Sequence, residues 1–229
     1  MARPIDTAAV IFDLDGTLLD TLIDLAVSMN AVLAARGFPE HPIPAYRFFV
    51  GDGMPTLARR ALPIGHRDRT TAAAALEAMR AEYDGRWDAE TRVYPGIGEL
   101  LDALAGLPVP VAVFSNKPDD FTRLTVARLL APWRFAAVQG LRDDLPRKPD
   151  PAGALQMAAA MGWEVGRCLF VGDSSTDMVT ARRAGMFAVG VTWGFRDRDE
   201  LEASGAQAVV ETPDQVLDLA RGQSPGPRP

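Results

Sequence analysis

Asp13 and Asp15 stand one residue apart, directly behind the apolar run Ala8 to Phe12 and directly before Gly16. About 4 Å apart, at an effective dielectric of ~20, two carboxylates repel by about 4 kcal/mol. A chain that places them together needs a cation between them, a shared proton, or one group held neutral. If the strand persists through both, alternation puts both side chains on one side. Gly16 permits a tight turn with close backbone approach. The plain alternative is a solvated Asp/Gly turn, and the buried strand leading into the pair argues against it.

The elements that must hold this pair follow from periodicity. Ala8 to Phe12 reads as a strand buried on both faces. After Asp20 the pattern turns helical, with Leu22, Leu25, Ala26, Met29, Val32 and Leu33 at spacings of three and four, closed by Gly37. Further helical stretches are expected over 45–50, 54–62 and 70–87, with no strand in residues 20 to 87. From Tyr94 onward strands and helices alternate. Strands are expected over 109–114, 135–138, 168–171, 187–191 and 208–210, with helices over 97–104, 119–130, 151–161, 176–184 and 214–220. Asp119 or Asp120 is expected to cap one helix. Asp150 is expected to cap another, with Pro151 at its first position.

Alternating strands and helices imply a doubly wound parallel sheet, and such sheets bind ligands at the carboxyl ends of their strands. The unusual polar residues fall there. Asp13 and Asp15 follow the first strand, Ser115 follows another, and Asp173 and Asp177 follow a third. Lys148 precedes a helix in the same register and is one of only two lysines, the other being Lys117. Several carboxylates in one crevice, offering hard oxygen ligands, suit Mg²⁺. A serine hydroxyl and the backbone N–H groups near Gly16 and Asn116 could hold anion oxygens. These are the parts of a phosphoryl-transfer site.

Composition bounds the reading. The chain of 229 residues suits one α/β domain with an insertion, and 48% hydrophobic content supports a real core. A formal net charge of −6 argues against nucleic acid as a partner. The single cysteine, Cys168, lies in an apolar run and reads as a buried structural thiol. No stretch approaches ~20 apolar residues, so no membrane span is expected. The first strand begins too early to leave room for a signal peptide, so a cytoplasmic location is expected.

Four segments carry a resemblance: Asp13 to Asp20 (DLDGTLLD), Phe114 to Pro118 (FSNKP), Arg147 to Pro151 (RKPDP) and Val171 to Asp177 (VGDSSTD). In residues and in order they resemble the four motifs of the haloacid dehalogenase-like superfamily. The stretches Val50 to Gly53 and Val191 to Gly194 are similar to local patterns of its phosphoglycolate phosphatase branch. The resemblance implies a Rossmann-like core, residues 1–19 and 88–221, with an all-helical cap, residues 20–87, inserted after the first strand. Residues 222–229 are expected to be a disordered tail.

The resemblance also implies roles. Asp13 would be the nucleophile, forming an aspartyl-phosphate. Asp15 would protonate the leaving alcohol and then activate water. Mg²⁺ would bind Asp13, Asp15 through its backbone carbonyl, Asp173 and Asp177, the last directly or through a neighbour. Ser115, Asn116, Lys148 and Thr17 would hold the phosphorylated substrate, and Arg59 and Arg60 on the cap could bind a carboxylate or second phosphate. Lys117 is expected to point to solvent. Trp193 would either wall the site or merely pack. His41 and His66 show no ligand pattern. The expected enzyme is a Mg²⁺-dependent phosphatase for a small phosphorylated metabolite, phosphoglycolate first, acting as a monomer or homodimer. A phosphosugar mutase of the β-phosphoglucomutase type and a catalytically idle binding protein are the alternatives. A phosphonate hydrolase would need a cap lysine, and the cap has none.

Overall fold

The structure is a computed structural model that describes residues 6–224. The chain forms two compact units, one comprising residues up to Leu18 and from Val93 onward, the other Leu19–Arg92. In chain order, β1 (Ala9–Phe12) leads to the short β2 (Leu19–Asp20), then α1 (Leu22–Ala35), α2 (Met54–Ala61) and α3 (Arg69–Asp84). After β3 (Arg92–Val93) come α4 (Ile97–Ala105), β4 (Val111–Pro118), α5 (Asp119–Leu129), β5 (Ala137–Leu141) and α6 (Ala152–Met161). The rest is β6 (Cys168–Gly172), α7 (Ser175–Ala184), β7 (Phe187–Val191), α8 (Arg198–Ala203), β8 (Ala208–Val210) and α9 (Pro213–Ala220). β2 and β3 form a two-stranded ribbon.

The larger unit holds a six-stranded sheet in the order β5-β4-β1-β6-β7-β8, each neighbouring pair parallel. Every residue of β1, β6 and β7 is buried, as expected of central strands covered on both faces. One core cluster gathers Ile11, Phe114, Met157, Phe170, Met178 and Ala188, and the buried Cys168 belongs to it. β1 lies between β4 and β6. The chain runs outward one way through β4 and β5, then the other way through β6, β7 and β8. That reversal makes the carboxyl end of β1 a switch point, where the loops diverge and leave a crevice.

Several expected boundaries move. β4 continues to Pro118, with an irregularity between Phe114 and Pro118, so Ser115 to Lys117 lie within the strand rather than beyond it. Neither aspartate caps α5. Pro118 stands at the cap, and the carboxylate of Asp119 accepts the N–H of Gly140 at 2.7 Å. α6 begins one residue later than expected, with Pro151 at the cap. The strand expected over 135–138 is β5, shifted toward the crevice. α8 carried no signal in the apolar pattern, because only Leu201 of its six residues is buried.

In the smaller unit the stretch over 45–50 is a 3₁₀ turn, Ile43–Phe48, with Pro42 and Pro44 at its start, and α3 stops at Asp84. Asp20 is extended, so the insert is not wholly helical. Of the expected tail, residues 225–229 lie outside the described residues. Among the described residues no helix is long and apolar enough to cross a membrane.

Candidate active site

Asp13 follows the last residue of β1. Its N–H still donates to the carbonyl of Val171 at 2.9 Å, which extends the β1–β6 ladder by one bond. The strand itself ends at Phe12, so alternation no longer governs the next residues, yet the charge of Asp15 still acts on Asp13 and helps to raise it. The two carboxylates take separate partners. Asp13 is buried, and its Oδ1 accepts from the Leu14 N–H at 2.7 Å and lies 3.0 Å from Lys148 Nζ. The carboxylate of Asp15 pairs with Lys117, 3.1 Å from Nζ to Oδ1 and 3.4 Å to Oδ2. Lys117 is therefore buried and does not point to solvent. The residue that the sequence undervalued is Lys117, one of the chain's two lysines, and that scarcity was the available signal.

Asp173 follows β6, and Asp177 lies in the first turn of α7. Asp177 accepts from the N–H of Ser174 at 3.1 Å and its hydroxyl at 2.6 Å, both on Oδ2, in a reciprocal cap of the helix. One oxygen each from Asp13, Asp173 and Asp177 falls within 4.8 Å of the others, and all three residues are buried. The carboxylate of Asp15 is not in this group. It could serve such a centre only through its backbone.

Among the described residues Lys148 pairs with two of the three acids, and the charge of Arg196 acts on the third, Asp173. The ammonium of Lys148 lies 2.7 Å from Asp177 Oδ1, 3.0 Å from Asp13 Oδ1 and 3.1 Å from the Phe114 carbonyl, so its three donors are matched by three acceptors. It also sits 5.7 and 5.6 Å from the ring centres of Phe114 and Phe170. The backbone of Lys148 is fixed by Asn116, which accepts its N–H at 2.8 Å and donates to its carbonyl at 3.1 Å. The side chain of Asn116 thus fixes the backbone of Lys148.

The remaining sequence candidates are distributed as follows. Ser115 is buried, and its Oγ accepts the N–H of Lys117 at 3.3 Å. Thr17 is buried beside Asp173, with its hydroxyl 3.5 Å from Oδ1, and its carbonyl accepts the indole N–H of Trp193 at 3.0 Å. Arg59 and Arg60 both belong to α2 in the smaller unit. Arg60 pairs with Asp52 at 2.6 Å and reaches the Phe49 carbonyl at 3.3 Å. Arg59 instead lines a groove of about 500 Å³ with Arg67 and Arg69.

The electrostatics state what the cluster lacks. Burial, then the nearby Asp177, pushes the Asp13 carboxyl up to about 7, against an opposing pull from Lys148. Burial, then Asp177 and Asp13, raises Asp173 well above the usual carboxylate range. Burial alone would lower Lys148, yet Asp13 and Asp177 outweigh it and hold the ammonium above the ordinary lysine value. Fully ionised, the three carboxylates would outnumber the one ammonium paired with them, and buried charge is costly unless matched, which is what the raised Asp13 and Asp173 carboxyls express. Hard oxygens in that number fit a divalent cation such as Mg²⁺.

Comparison with known proteins agrees with this geometry. A family model described as haloacid dehalogenase-like hydrolase matches residues 10–191. The chain is 34% identical over 223 residues to phosphoglycolate phosphatase of Pseudomonas savastanoi pv. phaseolicola, covering 95% of this chain and 78% of that protein. It is 33% identical over 222 residues to phosphoglycolate phosphatase of Xanthomonas campestris pv. campestris, covering 95% and 98%. A crystal structure of a provisionally named phosphoglycolate phosphatase from Lactobacillus delbrueckii subsp. bulgaricus superposes with a TM-score of 0.89 at 27% identity, over 94% of this chain and 99% of that one.

Proposed function

The chain belongs to the haloacid dehalogenase-like hydrolases, and from that premise we propose that it is a Mg²⁺-dependent phosphomonoesterase for a small phosphorylated metabolite, with phosphoglycolate the first substrate to test. The observation that carries the reading is the trio Asp13, Asp173 and Asp177, within 4.8 Å of one another, with the first and last paired to the Lys148 ammonium. Asp13 and Asp173 would hold the cation, with Asp177 either ligating it or fixing Lys148 beside it. When bound, it neutralises carboxylate and phosphoryl charge and so lets two anions approach.

The chain's own residues do the rest. The Leu14 N–H and Lys148 both occupy Oδ1 of Asp13, which gives Oδ2 to phosphorus. Attack by Oδ2 forms the aspartyl-phosphate as the bond from phosphorus to the leaving oxygen breaks. Asp15 gives that oxygen a proton, then takes one from the water that attacks phosphorus and frees Asp13 with inorganic phosphate. Ser115 and the backbone after it receive phosphoryl oxygens in this reading. The helical unit serves as the cap, with Arg59 the residue to test for reading the rest of the substrate.

The test is hydrolysis of p-nitrophenyl phosphate and phosphoglycolate with and without Mg²⁺ by the native protein and by Asp13→Asn. Activity that needs the metal and falls by at least ~10³-fold in the variant is expected. Near-native activity in Asp13→Asn would reject the covalent route. Indifference to chelation would reject the metal.

A further inference from the structure

We propose that the loop after β7, through Trp193, Gly194 and Phe195, is a positioning element for the metal centre and acts by fixing Asp173. This rests on the reading of Asp173 as a metal ligand. β7 pairs with β6 in register to Gly172 opposite Gly190, so the loops that leave the two strands run side by side.

Three contacts make the bracket. The Phe195 N–H donates to Asp173 Oδ2 at 2.7 Å, which occupies one oxygen and turns Oδ1 toward Thr17. Gly194 lies flat against the acid. A Cβ there would meet Asp173 Cβ, Asp173 Oδ2 and the Gly16 carbonyl inside the 3.0 Å that real Cβ atoms essentially never show. Gly16, at φ +86°, has the same property toward Asp173 Oδ2 and the Phe195 ring. The carboxylate is therefore held between the backbones of two loops, in a gap that no side chain fits. Trp193 ties those loops together, its indole N–H donating to the Thr17 carbonyl at 3.0 Å.

A carboxylate free to turn must lose that freedom when it ligates a cation, whereas a clamped one has lost it already. Groups that orient a ligand in this way are worth about 10–100-fold in metal affinity. Trp193, Gly194 and Phe195 touch no reacting atom here; they act through Asp173.

The experiment is Mn²⁺ binding to the full chain, read from the electron paramagnetic resonance of free Mn²⁺, with melting temperature in chelator as the control for folding. Gly194→Ala is expected to weaken Mn²⁺ by about tenfold or more. Trp193→Phe, which deletes one hydrogen bond and adds no bulk, is expected to weaken it by about threefold. It decides the matter if Gly194→Ala does not fold. Asp173→Asn separates the two ideas. If it weakens Mn²⁺ while both folded loop variants bind like the native chain, the loop has no positioning role and the metal reading stands. If Asp173→Asn itself leaves Mn²⁺ affinity unchanged, the metal reading fails and takes this inference with it.

Discussion

Lys117 Nζ lies 3.1 Å from Oδ1 of Asp15, in a pair whose lysine side chain is 2% exposed and whose aspartate is 15% exposed. The ammonium is thus the inner partner and the carboxylate the outer one. The chain's two lysines divide the two leading aspartates between them, Lys148 beside Asp13 and Lys117 beside Asp15. Replacing Lys117 by Met leaves Asp15 without its anchor while filling the same volume. We expect kcat on p-nitrophenyl phosphate to fall by about 10²-fold, the lower end of what a placed acid/base group contributes. Unchanged kcat would show that Asp15 needs no anchor.

Lys148→Met removes the one cation, among the described residues, that pairs with Asp13 and Asp177. Breaking a buried pair on one side costs about 3–5 kcal/mol, because the charges left behind stay desolvated. Urea unfolding in chelator at pH 8 should report that loss. At pH 5 the loss should be smaller, since protonated carboxylates no longer need the ammonium.

Acidity gives a second reading of the same cluster. The Asp13 carboxyl sits at about 7 when folded, against an ordinary value of 3.8. Between these values the native chain holds a proton that the unfolded chain has released, so stability falls as pH rises through the window. Asp173 shifts in the same direction. Lys148, held high, keeps its proton throughout and adds no slope there. Without metal, the melting temperature should therefore drop from pH 5 to pH 8 more than in Asp13→Asn. Mg²⁺ should raise it more at pH 8 than at pH 5, where it competes with protons. Equal Mg²⁺ shifts at the two pH values would contradict a site built on these carboxylates.

Asp24 makes a prediction confined to the helical unit. It is buried in the first turn of α1 and accepts from the N–H groups of Glu90 and Thr91, at 3.0 and 2.8 Å, and from the Thr91 hydroxyl at 2.7 Å. Asp24→Ala would orphan these donors, at about 1–3 kcal/mol for each one left buried. Residues 88–92 should then become the first point of cleavage in limited proteolysis. Cleavage that still begins elsewhere would mean that the staple is dispensable.

The residues and their order determined the fold class and the parts of the site. Apolar runs of four or five residues, spaced by helices, dictate a parallel sheet, and a parallel sheet sends its chemistry to the strand ends. That much is local patterning, and it names Asp13, Ser115, Lys148 and Asp173 without any coordinates. Tertiary structure decided which side chains meet. Asp13 and Asp15 take different lysines as partners, Lys148 and Lys117, where β1 stops at Phe12 and the backbone turns at Gly16. Asn116 serves Lys148, 32 residues away, and Lys117 reaches Asp15, 102 residues away. Such pairings depend on where loops from different strands cross, and no short-range period records that. The loop after β7 is the plainest case: the sequence left Trp193 either walling the site or merely packing, and only the fold sets Gly194 and Phe195 against Asp173.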